Sequence, residues 1–121
     1  MALKILTIDD DSAITEMLGY LLGSYGMDVI KANDGTQGIQ LARAETPDLI
    51  LLDIMMPDMD GREVCESIRS FSSVPIIVFS AMGRVKEIGE MLDAGANTYL
   101  EKPTPTSVLL DQIKKYTSQQ V

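Results

Sequence analysis

The sequence predicts an α/β fold, a doubly wound sheet of five parallel strands with five helices on its two faces. Short apolar runs alternate along the chain with stretches whose apolar residues recur at helical spacing. The run Pro75–Phe79 is almost continuously apolar, as in strands that are covered on both faces. Alternating strands and helices form parallel sheets with right-handed crossovers, which place helices on both faces.

The predicted strands are short runs rich in Ile, Leu and Val. In chain order they are Leu3–Ile8, Met27–Ala32, Leu49–Asp53, Pro75–Phe79 and Asn97–Glu101.

The predicted helices begin at side chains that can cap an N-terminus, and several end at Gly or Pro. The starts are Asp11 or Ser12, Asp34 with Gln37, Asp60 with Glu63, and Thr104 followed by Pro105; the ends include Gly26, Pro47 and Gly95. Apolar residues mark one face of each helix. They are Ile14, Met17, Leu18, Leu21, Leu22 and Tyr25, then Ile39 and Ala42, then Val64, Ile68 and Phe71, then Val85, Ile88 and Leu92, and finally Leu109, Ile113 and Tyr116.

Length and composition restrict the function. The 121 residues fit one domain, which we expect to cover residues 1–121. A net charge of −8 argues against direct nucleic-acid binding, because phosphate backbones attract basic surfaces. The lack of histidine excludes Ser-His and Cys-His nucleophile pairs and histidine metal sites. With strand-length apolar runs, one cysteine and no signal-peptide pattern, we expect a cytoplasmic protein without a membrane span.

Polar side chains stand at the ends of four of the five predicted strands. Asp9 and Asp10 follow the first strand, Asp53 closes the third, Ser80 follows the fourth and Lys102 stands just past the fifth. The carboxyl ends of parallel strands share one edge of the sheet, where ligands bind in open α/β folds. We therefore expect these side chains to converge.

Carboxylates gathered at one edge need a counter-charge. At 4 Å, two like charges repel by roughly 4 kcal/mol at an effective dielectric constant of 20. A hard divalent cation meets this need, and two or three carboxylates with waters suit Mg²⁺. Mg²⁺, Lys102 and a nearby hydroxyl would also neutralise a phosphoryl group, and Asp53 would then be the nucleophile that forms an acyl phosphate.

These residues also have structural interpretations. Asp10 and Asp11 can cap a helix, Ser80 can be a turn residue, and Lys102 can be a solvated surface lysine. An acid that closes a buried run, as Asp53 does, has no obvious structural use. The joint occurrence at matching strand ends favours the functional interpretation.

Four segments resemble, in order and spacing, the signatures of bacterial two-component response-regulator receiver domains, the family of the chemotaxis regulators. They are Ile8-Asp9-Asp10-Asp11, Asp53-Ile54-Met55-Met56-Pro57 with Gly61, Ser80-Ala81 and Lys102-Pro103, and the resemblance runs from residue 3 to about residue 116. It implies a flavodoxin-like fold with strand order 2-1-3-4-5. It also implies a phosphorylation-controlled switch that catalyses only its own phosphorylation and dephosphorylation.

By this resemblance, Asp53 accepts a phosphoryl group from the phosphohistidine of a histidine kinase or a histidine phosphotransfer protein. Asp10, Asp53 and the backbone carbonyl of Met55 would bind Mg²⁺ directly, and Asp9 would act mostly through water. Met55 and Met82 would flank the acceptor.

The resemblance also assigns the other site residues. Ser80 would hydrogen-bond a phosphoryl oxygen, and Lys102 would pair with that group before a cis Lys102–Pro103 bond. Ser80 and Tyr99 would be the switch residues that follow phosphorylation. The switch would control an output domain or a downstream effector protein.

Two departures from the family pattern concern self-association. Thr104 stands where the family commonly has Phe, and Asn97-Thr98 stands where winged-helix regulators often have two acids that pair across a dimer. Both weaken the case for that dimer, and a phosphorylation-dependent dimer stays an open alternative.

Two other functions fit parts of the sequence. The Asp9-x-Asp11 pattern after an apolar strand resembles haloacid-dehalogenase-like phosphatases, but those enzymes usually need a longer chain and a cap. A flavodoxin-like cofactor binder would need a Ser/Thr/Gly-rich phosphate loop after the first strand, where this chain has acids.

Overall fold

The computed structural model describes residues 2–81 and 85–117. Within these residues, five strands alternate with five helices. The strands are β1 (Lys4–Ile8), β2 (Asp28–Ala32), β3 (Leu49–Leu52), β4 (Ile76–Ser80) and β5 (Thr98–Glu101). The helices are α1 (Ser12–Ser24), α2 (Gly35–Glu45), α3 (Gly61–Arg69), α4 (Val85–Asp93) and α5 (Thr106–Thr117).

The strands form one parallel sheet in the order β2-β1-β3-β4-β5, which confirms the predicted topology. The pairing register sets the carboxyl ends of the strands level with one another. Ile8 of β1 pairs with Leu52 of β3, and Ser80 of β4 pairs with Glu101 of β5. Residues that follow these strands therefore meet at one edge of the sheet.

The sheet separates two apolar clusters, as expected for a doubly wound fold. The cluster under α2, α3 and α4 includes Leu6, Ile8, Ile50, Leu52, Val64, Cys65, Ile68 and Met91. The cluster under α1 and α5 includes Ile5, Leu18, Leu22, Leu49, Leu51, Ile77, Leu109 and Ile113. Successive residues of β1 and β3 alternate between the two clusters, because side chains alternate across a strand. Both central strands are thus buried on two faces.

Capping side chains start three helices where the sequence predicts them. Carboxylate oxygens of Asp11, Asp34 and Asp60 accept backbone N–H bonds from the first turns of α1, α2 and α3. The predicted cap of α5 is wrong. The Thr104 hydroxyl donates to the Glu101 carbonyl, and the Pro105 carbonyl accepts the first helical bonds instead.

The buried faces of two helices differ from the predicted ones. In α1, Met17 is 53% exposed and Thr15 is buried, and Tyr25, the C-cap residue just past the helix, is 57% exposed. In α4, Val85 is 88% exposed and Met91 is buried. The apolar stripe of each helix is wider than the strip that touches the sheet, and so packing decides which of its members are covered.

Helix α5 is packed against the domain as far as Thr117. This residue is helical and buried, and its hydroxyl donates to the Ile113 carbonyl at 2.7 Å. Residues 118–121 lie outside the described residues. Among the helices that the structure describes, none is long and apolar enough to cross a membrane.

Candidate functional site

Three carboxylates meet at the carboxyl edge of the sheet. The backbone N–H of Asp53 donates to the Ile8 carbonyl at 2.9 Å, so the chain beyond β3 starts level with the chain beyond β1. Asp9 is 4% exposed and Asp53 is 8% exposed, whereas Asp10 is exposed. One oxygen from each of these three carboxylates lies within 4.8 Å of the other two. The predicted acidic cluster is therefore present.

Lys102 supplies a counter-charge to this cluster. Its Nζ lies 2.5 Å from Asp9 Oδ2 and 3.4 Å from Asp53 Oδ2. Its side chain is 15% exposed, and Nζ lies 5.3 Å from the centre of the Phe79 ring, within cation–π range. Lys102 is therefore not a solvated surface lysine. The Lys102–Pro103 peptide bond is cis, as predicted.

Asp53 is held in one orientation by donors on both of its oxygens. Oδ1 accepts from the Ser80 hydroxyl at 2.9 Å and from the Met55 backbone N–H at 3.0 Å. Oδ2 faces Lys102. Because Ser80 is fully buried, its hydroxyl bond to Asp53 is shielded from water.

Burial disfavours the charged form of the Asp9 carboxyl. Burial raises the pKa of the Asp9 carboxyl above its ordinary value, and the charge of Asp53 adds to the rise. Lys102 and the backbone N–H of Asp11 act in the opposite direction but do not cancel it. A divalent cation beside Asp9 would favour its ionised form.

The donor set fits Mg²⁺. Hard cations prefer oxygen ligands, and Mg²⁺ commonly combines one or two carboxylates with several waters. Asp10 and Asp53 offer converging oxygens, and exposure of Asp10 leaves room for water. Met55 lies beside the cluster through its N–H bond to Asp53, while the ligand role of its carbonyl stays a prediction. Met82, predicted to flank the acceptor, lies outside the described residues.

Tyr99 contacts the predicted switch serine. The half-buried tyrosine donates from its hydroxyl to the Ser80 carbonyl at 3.4 Å, which is a long hydrogen bond. Burial raises the pKa of the Tyr99 hydroxyl, and Glu101 adds to the rise. Tyr99 therefore stays neutral at physiological pH and is available as a donor.

Two polar residues near the site were not identified from the sequence. Asn33, which follows β2, donates from its side-chain amide to the Asp9 backbone carbonyl at 3.0 Å. Nothing in its local pattern distinguishes it from an ordinary loop residue. Thr7 is buried below the acids, and its hydroxyl has no hydrogen-bond partner among the described residues. A polar residue within the apolar run of β1 was a signal that could have found it.

Comparison with known sequences identifies the family. Residues 5–114 match the sequence pattern of the response regulator receiver domain. Response regulator MprA of Mycobacterium leprae is 42% identical over 113 residues, which cover 93% of this chain and 50% of MprA. The DNA-binding response regulator MtrA of Mycobacterium tuberculosis is 37% identical over 114 residues, covering 94% and 50% respectively. The chain thus spans about half the length of these relatives.

Solved structures agree with the sequence comparison. A CheY-like receiver domain from Methanospirillum hungatei superposes with a TM-score of 0.94 at 30% identity, covering 99% of this chain and 97% of that one. The BeF3-activated N-terminal receiver domain of Klebsiella pneumoniae RstA superposes with a TM-score of 0.89 at 32% identity, covering 94% and 97%. On the evidence of its sequence, its fold and its acidic site, the chain belongs to the response regulator receiver domain family.

Proposed function

We propose that this domain accepts a phosphoryl group on Asp53 and changes conformation to control a partner. The supporting observation is the environment of Asp53, whose nearly buried carboxylate is met by a hydroxyl, an ammonium group and a backbone N–H. A carboxylate oxygen would form the new bond to phosphorus while the bond to the donor's imidazole nitrogen breaks. The imidazole keeps the electron pair of that bond, so the transfer needs no further reactant.

The neighbours of Asp53 have matching roles in this transfer. Mg²⁺ held by Asp10 and Asp53, with the Met55 carbonyl and water from the Asp9 side, would neutralise charge on the phosphoryl oxygens. Lys102 would pair with one phosphoryl oxygen and would weaken its contact with Asp9. Transfer would therefore exchange an internal ion pair for a pair with the phosphoryl group.

Ser80 and Tyr99 would connect the new phosphoryl group to the surface. The Ser80 hydroxyl, which donates to Asp53 Oδ1, would donate to a phosphoryl oxygen instead. The Ser80 carbonyl accepts from Tyr99, so a shift of Ser80 would change the partner of the tyrosine hydroxyl. Such a change would bias two conformations of the β4–β5 region.

The phosphodonor would be a histidine kinase or a histidine phosphotransfer protein in the cytoplasm. The controlled partner would be an output domain or a separate effector, consistent with relatives about twice the length of this chain. Residues 1–121 would act as the receiver, and any contact with nucleic acid would come from the output part, because this chain carries a net charge of −8.

The winged-helix dimer mode has little support here. Asn97, which replaces one of the two acids, is occupied within the chain. Its Oδ1 accepts from the Arg69 guanidinium at 3.1 Å and from the Ile76 backbone N–H at 2.9 Å. Any phosphorylation-dependent dimer would therefore need other contacts.

One of the two acids that the phosphatase alternative requires has a structural role in this protein. Asp11 is exposed, and its Oδ1 accepts from the Ala13 backbone N–H at 3.0 Å as the cap of α1. The second acid of an Asp9-x-Asp11 pair is thus used for helix capping. A switch that is phosphorylated on Asp53 fits the structure better.

Intact-mass spectrometry after incubation with a small phosphodonor and Mg²⁺ tests the proposal. We expect one added phosphoryl group in the wild type, none in Asp53→Asn, and none when the metal is chelated. Asp111→Asn, on the exposed side of α5, is the matched control and should be labelled like the wild type. Labelling that survives in Asp53→Asn would contradict the assignment.

A further inference from the structure

The side chain of Asn33 joins three separate elements. Its Nδ2 donates one N–H to the Asp9 carbonyl at 3.0 Å and the other to Thr15 Oγ1 in α1 at 3.1 Å. A primary amide has two N–H groups, so both are satisfied. The Thr15 hydroxyl donates in turn to the Ser12 carbonyl at 3.1 Å, and Thr15 is 1% exposed. The amide of Asn33 is therefore anchored on a buried residue.

Asp10 lies between two peptide groups that are each held by one hydrogen bond. The peptide before it carries the Asp9 carbonyl, which accepts from Asn33. The peptide after it carries the Asp11 N–H, which donates to Asp9 Oδ1 at 2.9 Å. The planes of these two peptides set the direction in which the exposed Asp10 side chain leaves the backbone. Of the two bonds, only the one from Asn33 comes from outside the segment Asp9–Asp11.

We infer that Asn33 is a positioning residue for Mg²⁺, because its bond to the Asp9 carbonyl aims Asp10 at the ion. This inference rests on the proposed function, in which Asp10 is a direct ligand. Residues that orient metal ligands typically contribute about 10- to 100-fold in metal affinity. Asn33 acts through a peptide group and not on the ligand atoms. We therefore expect about tenfold weaker Mg²⁺ binding in Asn33→Ala, the lower end of that range.

Isothermal titration of Mg²⁺ into the folded domain measures this effect directly. Gln37→Ala is the matched control, because Gln37 Oε1 accepts the backbone N–H of Asn33 at 2.9 Å and leaves the side-chain amide untouched. We expect the Mg²⁺ dissociation constant of Gln37→Ala to match that of the wild type. Urea unfolding in EDTA reports any separate loss of stability. A stability loss in Asn33→Ala with an unchanged Mg²⁺ dissociation constant would overturn the inference.

Asn33→Asp distinguishes positioning from charge. Its carboxylate cannot donate to the Asp9 carbonyl, so positioning predicts weaker Mg²⁺ binding than in the wild type. An extra negative charge near the site would by itself strengthen binding. Tighter binding in Asn33→Asp would therefore contradict the positioning role.

Asp10→Asn separates failure of this inference from failure of the proposed function. If the wild type does not bind Mg²⁺, or if Asp10→Asn binds it equally well, the proposed metal site is wrong. If Asp10→Asn loses Mg²⁺ and Asn33→Ala keeps the wild-type affinity, the inference about Asn33 alone is wrong. Loss in both variants, with Gln37→Ala unaffected, supports both.

Discussion

Replacing Lys102 with Met should destabilise the metal-free domain by about 3 kcal/mol, the lower end of the range for removing one partner of a buried ion pair. The change leaves Asp9 and Asp53 close together without their cation, and both side chains are at most 10% exposed. A methionine retains most of the apolar stem of the lysine, so the loss of charge dominates the effect.

The distances support this magnitude. Carboxylate oxygens of Asp9 and Asp53 lie within 4.8 Å of each other. Two unit charges at that distance repel by about 3.5 kcal/mol at an effective dielectric constant near 20. A domain with a typical stability of about 5–15 kcal/mol would stay folded after such a loss. Bound Mg²⁺ would replace the missing cation, and so the loss should shrink as Mg²⁺ is added.

Urea unfolding at neutral pH, in EDTA and in excess Mg²⁺, measures both effects. The double variant Lys102→Met/Asp53→Asn is the control, since it removes one of the two repelling charges and should recover much of the lost stability. A loss below about 1 kcal/mol in EDTA, the level of an exposed pair, would refute the reasoning. An equal loss in the double variant would refute it too.

Three further predictions concern groups around the site. Because the pKa of Asp9 is raised in the folded protein, its stabilising contribution is present at acid pH and is lost as the pH rises through that pKa. Urea unfolding from acid to neutral pH should therefore show a larger loss of stability in the metal-free wild type than in Asp9→Asn. Gly38→Ala should lower stability by about 1–3 kcal/mol, because its new Cβ would lie 2.6 Å from the buried Ile8 Cδ1. In the control variant Gly89→Ala the new Cβ meets nothing within 4 Å, so this change should raise the melting temperature. Thr7→Val should raise stability by about 1–2 kcal/mol in denaturant unfolding, because the buried Thr7 hydroxyl has no hydrogen-bond partner among the described residues. A Thr7→Val variant less stable than the wild type would show that this hydroxyl does make a hydrogen bond.

Local chemistry allowed much of this protein to be predicted from its sequence. The alternation of strands and helices depends on residue spacing within each element, and the caps at Asp11, Asp34 and Asp60 bond N–H groups two or three residues away. The acidic site was also predictable, although Lys102 lies 93 residues from Asp9. Parallel strands bring their carboxyl ends to one edge of the sheet whatever their separation in sequence. The position of the site could therefore be predicted without knowing how individual side chains pack.

Tertiary packing decided what local pattern could not. The way each helix lies against the sheet determines that Thr15 is buried while Met17 and Val85 are exposed. The bond from Asn33 to the Asp9 carbonyl joins loops after different strands, 24 residues apart. Such contacts form where separate elements pack together, so they cannot be predicted from the residues that neighbour a side chain in sequence. Sequence by itself therefore determined which elements form and which edge carries the acids, while the packing of those elements determined which residues support that edge.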